Sequence, residues 1–99
     1  MKIKEAKKQL LNELFDFTAS PSTWHLYYRS KRLLAAYDDL LRASHHKPIY
    51  KKWGARFKYI ADWAADYDKR GRTTDSRRML AVGYAWGIRE KLYESCLSD

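Results

Sequence analysis

Apolar residues in this chain return every three or four positions, and that period constrains the fold more than any other feature. Ile49, Trp53, Phe57, Ile60, Ala64 and Tyr67 fall on one face of a helix, flanked by Arg56 and Trp63. Lys51, Lys58, Asp62 and Ala65 fall opposite. Near the start, Ile3, Ala6, Leu10, Leu11, Leu14 and Phe17 repeat the pattern against a polar face of Lys4, Lys8, Asn12 and Asp16. No stretch alternates apolar and polar residues long enough to read as a strand. Two Pro and four Gly in 99 residues are also few for the many turns of an all-β domain. At 45% hydrophobic and 15% aromatic, the composition is that of a chain with a core to bury, not of a disordered one.

The breaks in the pattern divide the chain into four helical segments. The first runs from about Lys2 to Phe17 and stops at Thr18-Ala19-Ser20-Pro21. Ser20 reads as an N-cap and Pro21 as the first helical position of the second segment, with Ser22 or Thr23 as the other cap candidates. That segment extends to about Ala43, with Leu26, Leu33, Tyr37, Leu40, Leu41 and Ser44 along one side and Leu34 beside them. Ser44-His45-His46-Lys47 forms the next turn, and Pro48 opens a third helix reaching about Asp68. The fourth starts near Thr74 or Asp75 and ends near Cys96, with Leu80, Tyr84, Ile88 and Leu92 as its main stripe, helped by Ala81, Gly87 and Cys96. Residues 1–99 therefore read as one all-α domain, a compact four-helix bundle. A hairpin of the last two helices is its firmest element.

Twenty Lys and Arg against twelve Asp and Glu leave a net charge of +8. The first fifty residues and the remainder carry +4 each, so the excess belongs to the folded surface and not to a detachable tail. That balance favours nucleic acid or an acidic protein surface as partner. The lone Cys96 rules out an internal disulfide and a multi-cysteine zinc site, which fits a reducing compartment. No apolar run approaches the ~18–20 residues needed to cross a bilayer, and Met1 to Lys8 becomes charged too quickly for a signal peptide. A cytoplasmic protein without membrane contact is expected.

Lys69-Arg70-Gly71-Arg72-Thr73-Thr74-Asp75-Ser76-Arg77-Arg78 places five cations against one carboxylate where one helix ends and the next begins. Free backbone N–H groups at a helix start, with guanidinium groups able to grip phosphate in a bidentate manner, suit a polyanion. Lys69, Arg70, Arg72, Thr73, Thr74, Arg77 and Arg78 are thus the candidate nucleic-acid-binding residues. A solvated basic loop is the plainer alternative. The junction is longer, and its flanking helices larger, than in an operator-reading helix-turn-helix.

Four Trp and eight Tyr are more than a bundle of this size usually hides. Trp24, Tyr27 and Tyr28 surround the start of the second helix, and Arg29, Lys31 and Arg32 follow. Trp24, Tyr27, Tyr28, Arg29, Arg32 and Trp86 form the candidate partner-binding set, because such residues make hot spots on proteins and also stack on unpaired bases. Gly83 and Gly87 stand one turn apart inside a helix, where each costs about 1 kcal/mol relative to alanine. Close packing of another helix of the same chain is the first explanation, and a groove for a partner the second.

Nothing in the sequence assembles a catalytic centre. His45 and His46 are adjacent in a turn and lack the helical spacing that would aim both at one metal. Asp62, Asp66 and Asp68 are the only acidic cluster, and pairing with Lys58, Lys69 and Arg70 accounts for them. Cys96 and His25 are far apart in sequence. A non-enzymatic protein without metal or cofactor is the expectation. A small helical adaptor or inhibitor on a nucleic-acid-handling complex stands as the alternative to direct nucleic-acid binding.

Overall fold

The computed structural model describes residues 1–99 and contains helices and no strands. Four long helices, α1 (Ile3–Thr18), α2 (Thr23–Ala43), α4 (Gly54–Arg70) and α5 (Asp75–Leu97), are joined by short connections, with a single helical turn, α3 (Pro48–Lys51), ahead of α4. Helix α1 lies against α2 and α5, and α4 lies against the same two neighbours, so the four close into a ring around one core. The radius of gyration of 13.1 Å is that of a compact domain of this length.

Helix α1 buries Ala6, Leu10, Leu11, Leu14 and Phe17, the stripe its spacing predicts. Helix α2 buries Leu26, Leu33, Ala36, Tyr37 and Leu40. Its cap is Ser22 and not Ser20: the Ser22 hydroxyl accepts from the His25 N–H at 3.3 Å, leaving Pro21 in the turn ahead. The chain ends are drawn together by Lys7. Its buried ammonium donates to the Asp99 carboxylate at 2.7 Å and to the Ser95 carbonyl at 3.4 Å.

The expected third helix is interrupted. A continuous helix would hand the Tyr50 carbonyl to the Gly54 N–H. Instead that carbonyl accepts from the buried Tyr37 hydroxyl at 2.7 Å and from the Trp53 N–H at 3.2 Å. Glycine at position 54 offers little intrinsic resistance to the break. The register shift turns Tyr50 into the core and leaves Ile49, expected on the apolar face, half exposed. Beyond the break, Phe57, Ile60, Trp63 and Ala64 are buried, and the Tyr37 and Phe57 rings stack 4.0 Å apart.

Helix α5 buries Ile88, Leu92 and Ala81 as expected, but its stripe is turned so that Ala85 takes the interior place expected for Leu80 and Tyr84 is only partly buried. Ala81, Ala85, Ile88 and Leu92 are fully buried, whereas Leu80 is 43% exposed and Met79 66% exposed. The bulk of the core is supplied by Leu10, Leu14 and Phe17 on α1 and by Phe57, Ile60 and Trp63 on α4. Volume complementarity then selects alanine where α5 comes nearest, and larger side chains turn out to the sides. Gly83 and Gly87 are on the outside as well. A Cβ added to either meets nothing within 4 Å, so they serve no close helix packing within the chain.

Candidate nucleic-acid interface

The α4–α5 junction is held in shape by three local devices. Gly71 ends α4 with φ +69°, a left-handed backbone that suits glycine, and its N–H reaches the Tyr67 carbonyl at 2.7 Å. The Thr73 hydroxyl accepts from the indole N–H of buried Trp63 at 2.9 Å. The Thr74 hydroxyl caps α5 by accepting from the Arg77 N–H at 3.3 Å. Both threonine hydroxyls are thus engaged in building the junction, and Thr73 does so from within reach of the core.

Around this frame Asp66, Arg70, Arg72, Thr73, Thr74 and Arg77 line a cleft of about 440 Å³, with no hydrophobic residue among them. Asp66 organises it. One carboxylate oxygen takes Arg70 Nε at 2.8 Å, and the other takes Arg77 Nη1 at 3.4 Å. The two guanidinium groups come from opposite sides of the junction and would repel one another without the carboxylate between them. The Asp66–Arg70 link follows helical spacing. The Asp66–Arg77 link crosses the turn and has no local signature in sequence. Arg78 pairs with Asp75 at 3.4 Å and is partly buried, while Lys69 and Arg72 make no ion pair. Seven candidate residues therefore divide into three roles. Arg70, Arg72 and Arg77 face the cleft, Thr73 and Thr74 shape it, and Lys69 and Arg78 lie at its margins.

The aromatic candidates divide similarly. Tyr27 is scaffold: its hydroxyl donates to Asp68, and its ring lies 5.2 Å from Tyr67, which stacks on Trp63 at 5.7 Å. A run of rings thereby connects the start of α2 to Thr73. Trp24 and Tyr28 remain open, stacked on one another at 5.5 Å and 57% and 55% exposed. Arg29 is committed to the Asp16 carbonyl at 2.9 Å, and Arg32 to Glu13 at 3.1 Å, both tying α2 to α1. Trp86 joins another group. The Arg89 guanidinium lies 3.3 Å from the centre of its ring and 4.6 Å from that of Phe15, and Phe15 stands edge-on to Tyr93.

The remaining reactive side chains are dispersed. His45 and His46 are exposed in a turn, both with left-handed φ values, and His25 Nδ1 lies 2.6 Å from the Ser22 hydroxyl. Asp62 pairs with Lys58 at 3.0 Å. Burial pushes the Cys96 thiol pKa up, away from the reactive thiolate. No three His, Cys, Asp or Glu side chains converge as a metal site would require, and no helix is long and apolar enough to cross a membrane. No protein-family model matches the sequence, and neither a curated protein nor a solved structure matches it.

Proposed function

We propose that this protein binds nucleic acid through the phosphate backbone at the α4–α5 junction. One observation carries the reading: three arginines from two helices and their connection meet in a cleft lined by no hydrophobic residue, at the N-terminus of a 23-residue helix. The helix start adds unpaired N–H groups and the positive end of the macrodipole. The net charge of +8 adds a favourable long-range field. Such contacts position a backbone without reading sequence.

The test is binding to random duplex and to single-stranded DNA and RNA at about 50 and 200 mM salt. Replacing Arg70, Arg72, Arg77 and Arg78 with glutamine should leave the fold intact and reduce the salt slope by ~2–4 units. Removing Lys2, Lys4 and Lys8, which are exposed on α1 and before it, should do less; Lys7 is excluded because it is buried. Asp66→Asn provides the opposite arm. It withdraws a negative charge from the cleft and releases two guanidinium groups, so polyanion affinity should rise several-fold. Unchanged binding in the folded quadruple variant overturns the proposal.

A second reading rests on Trp24 and Tyr28, whose exposed stacked rings suit an anchor on a protein partner, with the net charge of +8 favouring an acidic one. Under it, Trp24→Ala with Tyr28→Ala abolishes partner binding while the arginine variant only slows association.

A further inference from the structure

Trp24 and Tyr28 are the exposed large apolar side chains of α2. Their rings stack 5.5 Å apart with planes 16° from parallel, and His25, tied to the Ser22 hydroxyl, stands edge-on to Trp24. The pair is thus ordered before anything binds. No other exposed apolar side chain of α2 adjoins it, so it lacks the surrounding contacts that exclude water from a protein hot spot. What surrounds it is positive. From Thr23 to Tyr37 the helix carries Arg29, Lys31 and Arg32 and no carboxylate. From the neighbouring helices, Glu13 is held by Arg32, and Asp68 accepts from the Tyr27 hydroxyl. We infer that the protein takes single-stranded nucleic acid, with an unpaired base stacked on the Trp24–Tyr28 pair and the phosphates of the same strand running into the arginine cleft. The phosphate half of this contact rests on the proposed function, and the base is what the rings add.

The rings and the cleft share one end of the bundle. Tyr27, next to Tyr28, lies 5.2 Å from Tyr67, and Tyr67 lies 5.7 Å from Trp63, whose indole donates to Thr73 in the cleft wall at 2.9 Å. Lys69 stands between the two: Asp68 on one side of it holds Tyr27, and Arg70 on the other holds Asp66. Lys31, Lys69 and Arg72 are exposed and make no ion pair. They leave a track of free cations for one backbone from the rings to the cleft, the combination that single strands require.

A duplex fits the same arrangement poorly. Its bases are stacked on one another and offer no face to a ring. Its second row of phosphates lies across a groove of about 6 or 12 Å. On the flanks of the cleft the cations are already paired, Lys58 with Asp62 and Arg78 with Asp75, and both carboxylates are exposed. One strand meets free positive charge here, and a second strand does not.

Fluorescence anisotropy with three labelled probes of about 12 nucleotides tests this: oligothymidylate, a hairpin duplex and an abasic strand. At about 50 mM salt the oligothymidylate should bind roughly tenfold more tightly than either of the others. Trp24→Ala with Tyr28→Ala, at exposed positions, should preserve helix content and remove that advantage. The salt slope should stay as it was, because stacking releases no counterions. Trp24→Phe with Tyr28→Phe should retain most of the advantage. Equal affinity for the oligothymidylate and the hairpin overturns the inference, as does an undiminished preference in the folded alanine variant. In either case, binding that still falls when the arginines become glutamine keeps the proposed function. Strand binding that needs the rings but ignores Arg70, Arg72 and Arg77 overturns the cleft reading and upholds the stacking. Absence of binding to all three probes overturns both and returns the rings to a protein partner.

Discussion

Tyr37 shows how one side chain sets both a backbone break and a pH limit. Its hydroxyl is buried, donates to the Tyr50 carbonyl and opens the gap between α3 and α4. Burial, with a smaller contribution from Asp38, raises its pKa from 10.0 to about 12. A phenol whose folded pKa is raised favours the folded state while it stays protonated. That contribution is complete below pH 10 and is lost as pH rises toward 12. Unfolding in denaturant should therefore show stability falling by roughly 2–3 kcal/mol across this window. Tyr37→Phe should flatten that fall and cost about 1 kcal/mol at neutral pH through the lost hydrogen bond, the Tyr50 carbonyl keeping only the Trp53 N–H. An unchanged alkaline slope in the phenylalanine variant would assign the effect to another group.

At the scale of elements, α5 is the helix whose sequence and packing disagree most. Residue hydrophobicity favours Leu80 for the interior, but the space beside α1 and α4 takes Ala81 and Ala85. Gly83 and Gly87 then sit on an open face in ordinary helical conformation, where alanine clashes with nothing. Gly83→Ala and Gly87→Ala should each stabilise the chain by about 1 kcal/mol, read as a higher melting temperature. Destabilisation by either change would mean that the glycines face the core after all. Helix α1 is the contrary case. Its one apolar face is long, regular and opposed by Lys4, Lys8 and Asp16, so periodicity alone places every buried apolar residue, and only buried Lys7 escapes it.

For the whole molecule, the longest-range polar link is that of Lys7 to Asp99, which closes α1 against the C-terminal end of α5. Burial acts against the Lys7 ammonium, yet the hydrogen bond to Asp99 prevails, and its pKa lies above 10.5. The pair's contribution is thus present below that value and lost as pH rises through the raised one. Asp99→Ala should destabilise the chain by about 1–3 kcal/mol, because it strands a buried cation. Lys7→Met, which keeps the stem and removes the charge, should cost less. The reverse order in chemical denaturation would show that the packing of the stem matters more than its charge.

Much of this architecture is written in the order of residues. Helical periods with breaks at Thr18–Ser22, Ser44–Lys47 and the Gly71 junction specify an all-α bundle, because an amphipathic helix must bury its stripe and short connections allow few ways to do so. The arginine-rich junction is equally legible, since its cations are neighbours in sequence. Three features depend on contacts between distant residues. Tyr37 reaches thirteen positions to break a helix, Asp66 reaches eleven to join Arg77, and the volume of α1 and α4 rotates α5 so that its alanines face inward and its glycines outward. Local periodicity ranks residues by hydrophobicity along one helix. Which of them are buried is decided by the space and the hydrogen-bond partners that the other helices leave, and that information exists only once the chain has closed on itself.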